Sequence, residues 1–291
     1  MYIVYNNTIC LRTETLVLRK AEEMHKSFIP GGRACDRETE IDMKAVGIKN
    51  TVLGDGVPKI CVPITAADTD GISDALDKMR DADFDLIEWR ADKFKELGSL
   101  ASMTEAASLI REAFPDKPII FTVRTSRDME DFDISDEDYV NIYKLAAKHR
   151  IADIADVEYS RGYELASKLN TMLHDHDFLT VVSKHVRDHT PDKETMLATL
   201  IGMQQTGADI VKYAAMPKCE RDVLNLMDAT LSMREEHGET PVISMSMSRL
   251  GVLSRVSGAL TGSALSFGTV GAASAPGQLD CGTLREILNR M

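Results

Sequence analysis

Residues 207–247 read GADIVKYAAMPKCERDVLNLMDATLSMREEHGETPVISMSM. A short run of apolar, strand-forming residues, 209–215, stops at Met216-Pro217. A charged segment with helical spacing, 219–236, follows, and a second apolar run, 241–247, starts on a proline. Two short strands separated by an amphipathic helix mark a parallel βαβ unit. The same alternation extends in both directions. Strands are expected at 59–64, 84–90, 118–124, 152–158, 178–185 and 263–269, with helical segments at 70–82, 103–114, 136–149, 161–175, 193–206, 250–258 and 282–291. Eight such units favour a closed (β/α)8 barrel, the TIM-barrel class, over an open doubly wound sheet. The open sheet lacks support, because neither G-x-G-x-x-G nor G-x-x-x-x-G-K-[ST] follows any strand.

The sequence ahead of the first unit divides at Met43. Residues 1–42, including IPGGRACDRETEID, carry turn residues and charge without a clear period. They read as a dispensable N-terminal extension. From Met43 to residue 291 the length is close to the about 250 residues typical of one barrel domain. Within it, VGIKNTVLGDGVPKI holds two short β-like runs around Gly54 and Gly56, a candidate hairpin. The chain has 291 residues, 44% hydrophobic and 27% charged, the composition of an ordinary globular protein. A net charge of −12 argues against a general nucleic-acid or anionic-membrane surface. No apolar run approaches the roughly 18 residues of a membrane span. Five scattered cysteines form no CxxC pair, so neither a disulfide framework nor a zinc site is suggested. A reducing cytoplasm is the expected location.

In a barrel the chemistry gathers at the C-terminal ends of the strands. Those ends carry Glu88 and Arg90, Arg124, Glu158, His185, Lys212, and Met245 with Met247. Lys212 is the most informative of them. Ile210, Val211, Ala214 and Ala215 crowd it, and no carboxylate follows Asp209 nearby, so no ion-pair partner is evident. A desolvated lysine favours its neutral amine, the form that attacks a carbonyl. Blander readings exist for each residue. Lys212 could be a solvated edge-strand lysine, Glu88 and Arg90 a stabilising ion pair, Glu158 a polar core layer, and His185 a satisfied loop histidine. Their concentration at one end of the expected barrel is what speaks against all of these holding together.

FDLIEWRAD, FTVRTSRDME, DVEYS, VVSKHVRDHTP, GADIVKYAAMP, PVISMSMSRLGVLSRVSGALTGSALSFG and SAPGQL occur in that order from Met43 to the C-terminus. In sequence and spacing they resemble the type I 3-dehydroquinate dehydratases, Schiff-base enzymes of the shikimate pathway. The resemblance implies a barrel with an N-terminal hairpin across its bottom, no cofactor or metal, and a homodimer acting on 3-dehydroquinate. It assigns Lys212 to imine formation and His185 to proton transfer. Arg255 matches the position that binds the substrate carboxylate. Arg124, and Arg90 with Glu88, match substrate contacts, and three arginines at one mouth would trap an anion. Met245 and Met247 would wall the imine, and Ser274 and Gln278 lie on a loop that closes over the ligand.

Three positions depart from the family pattern. Asp128 stands where many relatives carry a glutamate, as the carboxylate that would orient His185, with Glu130 two residues on. Pro63 replaces a serine of some relatives, and Lys184 an asparagine. A Schiff-base aldolase on the same barrel is the alternative. It often binds a phosphate near the seventh and eighth strands. Arg255 and the SAPGQ loop suit a carboxylated ring better.

Overall fold

The computed structural model describes residues 44–128, 131–271 and 277–291. It opens with an antiparallel hairpin, β1 (Val46–Ile48) and β2 (Thr51–Leu53). Eight parallel strands follow: β3 (Lys59–Ile64), β4 (Leu86–Arg90), β5 (Ile119–Thr122), β6 (Ile154–Glu158), β7 (Leu179–Val186), β8 (Ile210–Ala215), β9 (Val242–Ser246) and β10 (Leu265–Thr269). Each pairs with its successor from β3 to β9, and β10 pairs with β3. Between β9 and β10 the ring is completed by a parallel bridge from Val242 to Ser263. There the Ala264 amide donates to the Val242 carbonyl at 2.7 Å. The fold is the (β/α)8 barrel expected from the alternation.

The helices are α1 (Thr69–Met79), α2 (Leu100–Ala113), α3 (Asp136–Lys148), α4 (Tyr163–His174), α5 (Lys193–Gln205), α6 (Glu220–Glu236), α7 (Val252–Val256), α8 (Gly258–Thr261) and α9 (Cys281–Leu288). Short polar side chains start most of the long ones. Asp68, Ser99, Ser135, Asp192 and Asp280 each accept an amide of the first turn, satisfying a donor the helix itself cannot. Two expectations need correction. The helix expected over 250–258 stops at Val256, and a second short helix runs from Gly258 to Thr261, because Val256-Ser257-Gly258 lacks strong helix formers. The hairpin turn falls at Lys49-Asn50, ahead of Gly54 and Gly56 rather than around them. Its left-handed position, φ 49°, is taken by Lys49, a residue type that does not advertise a turn.

Strand alternation sorts the core into two. Ile60, Val62, Ile87, Trp89, Phe121 and Val182 face outward and pack with the helices. Cys61, Leu86, Ile120, Ile154, Val181, Ile210, Ile243 and Leu265 form a separate interior cluster. Val46 and Leu53 of the hairpin join that cluster, and burial of Leu53 alone stabilises by about 1.5–3 kcal/mol. Lys49 Nζ donates to the carbonyls of Pro115 (3.1 Å) and Lys117 (2.9 Å) and pairs with Asp153 (3.3 Å). Those residues precede β5 and β6, so the hairpin lies across the N-terminal mouth.

Two residues up the same interior face the character reverses. Leu86, Ile120, Ile154, Val181 and Ile210 are followed at i+2 by Glu88, Thr122, Asp156, Ser183 and Lys212, all buried. One further step brings Arg90, Arg124, Glu158 and His185. The apolar floor and the ionisable layer are therefore written on one face of the same strands.

Candidate active site

The sequence reading leaves Lys212 without an ion-pair partner; the structure gives it two. Lys212 Nζ, on β8, lies 3.0 Å from Asp156 Oδ2 and 3.2 Å from Glu88 Oε1. It also sits 4.6 Å from the centroid of the Phe267 ring. An ammonium is tolerated at 5% exposure because two carboxylates and an aromatic face compensate the lost water. Thr122 Oγ1 donates to Glu88 Oε1 at 3.0 Å. Burial pushes the Glu88 carboxyl up, and Lys212 and Arg90 overrule it, holding it below its ordinary range. Asp156 is held well below: burial again opposes, but Arg124 and Lys212 prevail. Asp156 escaped the sequence reading. The signal was present in the spacing, since Asp156 and Glu158 share one face at i, i+2.

His185 lies two residues beyond Ser183 at the end of β7. One oxygen of Asp128, Oδ2, accepts from both the His185 amide (3.1 Å) and the ring Nδ1 (2.9 Å). The shorter aspartate therefore reaches. Burial, together with the charge of Arg124, pulls the imidazole down to about 4 against the opposing pull of Asp128. Burial pushes Asp128 up, but the His185 bond and Arg124 hold it low. The pair at neutral pH is a carboxylate and a neutral ring with Nδ1 protonated toward Asp128, leaving Nε2 as the basic nitrogen.

The three arginines are not alike. Arg124 is surrounded: Nη2 donates to Asp156 Oδ1 at 2.8 Å and Nη1 to Ser183 Oγ at 2.9 Å, with Asp128 and Glu158 each 3.5 Å away. Arg90 forks onto Asp92 with two bonds of 2.8 Å, and Asp92 also accepts the Arg124 amide at 3.2 Å. Glu88 and Arg90 thus share a face, but Glu88 serves Lys212 and Arg90 serves Asp92. Two of the three guanidinium groups expected to attract an anion, those of Arg90 and Arg124, also hold carboxylates. Arg255, on α7, is 4% exposed, and its buried Nε has no hydrogen-bond partner among the described residues. Desolvation alone draws it down to about 10, still charged at neutral pH. A buried, unmatched guanidinium calls for an anion.

Met245 and Met247, on and just after β9, are buried in the interior cluster with Phe267. The chain turns sharply next to them. A side chain at Gly251 would meet the Ser246 carbonyl, and one at Gly277, φ 85°, the Ser248 carbonyl. Gly277 thereby ties the end of the SAPGQ segment to the loop following Met247. Gln278, beside it, is half-buried; Ser274 and Glu130 lie outside the described residues. Glu158 accepts from the Thr125 amide (2.7 Å) and hydroxyl (2.5 Å), with Arg161 Nε 3.4 Å away. Two tyrosines one turn apart on α3 brace the strand ends. Tyr143 takes the Val123 amide and donates to the Asp156 carbonyl, and Tyr139 takes the Glu158 amide.

The open end of this parallel (β/α)8 barrel brings together a buried lysine and a carboxylate-held imidazole, the groups an enzyme acting through an amine and a base would need. The type I 3-dehydroquinase family model matches residues 60–291. A 3-dehydroquinate dehydratase of Clostridium novyi (strain NT) is 39% identical over 247 residues, 85% of this chain and 98% of its own. That of Escherichia coli (strain SE11) is 40% identical over 246 residues, 84% and 98%. Among solved structures, a type I 3-dehydroquinate dehydratase from Clostridium difficile, with covalently modified comenic acid, has a TM-score of 0.81 at 36% identity. It covers 85% of this chain and 97% of its own. The chain belongs to the type I 3-dehydroquinase family.

Proposed function

We propose that this enzyme dehydrates 3-dehydroquinate to 3-dehydroshikimate through an imine on Lys212. The observation that carries the reading is the buried Lys212 amine, set between Glu88 and Asp156 beside the neutral His185. Lys212 Nζ passes a proton to His185 and attacks the C3 ketone as the neutral amine; that proton then returns to the carbonyl oxygen, which leaves as water. The protonated imine keeps its positive charge where the ammonium was, so the same two carboxylates stabilise the electron sink. His185 Nε2 removes a C2 proton, and the electron pair drains into the imine. Returning electrons expel the C1 hydroxyl, which takes a proton and departs as water. Water then hydrolyses the imine and restores Lys212, with His185 serving these proton transfers as well.

Arg255 takes the substrate carboxylate in this reading, since its buried Nε has no partner among the described residues. Arg124 contacts the substrate in this reading, and its bonds to Asp156, Asp128 and Ser183 also organise the site. Glu88 and Arg90 contact the substrate, Met245 and Met247 wall the imine, and Ser274 with Gln278 closes the ligand in. A homodimer in the cytoplasm completes the proposal. No helix among the described residues is long and apolar enough to cross a membrane. A Schiff-base aldolase is not favoured, because the family match runs the length of the barrel. The test is to add 3-dehydroquinate and follow the ultraviolet absorbance of the conjugated enone. A steady rise is expected, and a flat trace at high enzyme concentration would refute the assignment.

A further inference from the structure

Asp128 has a second oxygen, and the chain holds it as firmly as the first. Oδ2 is committed to His185. Oδ1 accepts from the hydroxyl of Ser160, on the 3-10 turn Tyr159–Arg161 that follows β6. Ser160 Oγ in turn accepts from Lys184 Nζ at 2.6 Å. Lys184 Nζ is itself 3.9 Å from Oδ1. A hydroxyl can donate and accept at once, so the four groups form a continuous line, Lys184 to Ser160 to Asp128 to His185. Alternation aims Lys184 away from His185, its neighbour on β7. Its flexible stem nevertheless returns the charge to the carboxylate that grips that same histidine. The Lys184 side chain is 29% exposed while that of Asp128 is fully buried.

We propose that Lys184 and Ser160 are positioning residues that fix the rotation of Asp128 and temper its basicity, and through it set the proton affinity of His185. The proposal rests on the reading of His185 as the base. A short carboxylate held by one oxygen could swing; held by both, it presents Oδ2 to Nδ1 in one geometry. Positive charge and a hydroxyl donor at Oδ1 also draw electron density from Oδ2 and weaken its support for the imidazolium. The charged groups facing His185 are Asp128 and Arg124 from the end of β5, Asp156 from β6 and Lys212 from β8. Asp128 in turn faces Arg124, Glu158 and Lys184. Removing the Lys184 charge or the Ser160 hydroxyl leaves Asp128 a stronger acceptor, so His185 takes a proton more readily.

The test is an NMR titration of His185 in the full-length protein without substrate, alongside kcat/KM against pH. Lys184→Met and Ser160→Ala are each expected to raise the His185 pKa, and the acidic limb of the profile with it, by about half to one pH unit. Lys184→Arg should restore the wild-type position. In an Asp128→Asn background both shifts should collapse, because the link is gone. Wild-type titration in both single variants would overturn the proposal. So would a Lys184→Met shift that persists undiminished in that background, which would mark a direct field on the ring. Ser160→Ala changes no charge and decides the matter if Asp128→Asn does not fold. The titration needs no turnover, so failure to dehydrate 3-dehydroquinate would sink the proposed function and leave this result standing.

Discussion

His185 and Arg255 place the chemistry in individual side chains, and each yields a measurable consequence. Burial holds His185 near 4, so kcat/KM should stay flat through neutral pH and fall only as the ring protonates well below pH 6. In an unfolded chain the same ring protonates near 6.5. Between those values the unfolded state binds a proton the folded state refuses, so stability falls as pH drops through that window. Asp128, held low, works in the same direction, while Glu158, held up by burial, opposes it. His185→Ala should leave imine formation possible and cripple proton abstraction. Trapped imine would then build up relative to product, and near-normal turnover would assign the base elsewhere. Arg255→Lys keeps the charge but loses the fork. Weakening of substrate binding by about 1.5–3 kcal/mol is expected, read as a rise in KM. Unchanged affinity would move the carboxylate site. His185 was legible because it stands at the end of a strand, and Arg255, on a helix, because its segment resembles the family's carboxylate-binding position. Asp156 was passed over although Glu158 was noticed, and pairing across strands far apart in sequence hid its contact with Lys212.

Strand and helix segments were legible nearly throughout, because period 2 and period 3.6 patterns alternate cleanly and polar caps mark the helix starts. Lys49 and the Val256-Ser257-Gly258 break were not, since neither carries a strong local signal. The braces between elements were equally hidden. Tyr139 and Tyr143 read as ordinary helix residues, yet their hydroxyls complete the backbone of β5 and β6 beneath the site. Tyr143→Phe removes the partner of the Val123 amide and of the Asp156 carbonyl while keeping the ring. A loss of about 1–3 kcal/mol is expected from these buried groups, seen as a lower Tm. Activity should fall with it, because Asp156 holds Lys212. An unchanged Tm would mean the two groups find other partners.

Over the whole molecule, an apolar floor capped by the hairpin supports an ionisable layer on the same strand faces. A protein starting at Met43 should match the full chain in soluble yield, Tm and activity. One starting at Pro58 loses Val46 and Leu53 from the interior cluster and should be less stable. Instability of the first would make residues 1–42 part of the fold; full stability of the second would remove the hairpin's role. The barrel was legible in the repeat count, whereas the ion pairs that tame its interior emerge only when distant strands meet. Two of them meet at Lys212, and the most direct measurement is made there. Borohydride is added to the enzyme turning over 3-dehydroquinate, the intact mass is recorded and the modified peptide is mapped. One ligand mass on Lys212 is predicted, absent from a folded and inactive Lys212→Ala. No adduct during turnover, or an adduct on another lysine, would contradict the account.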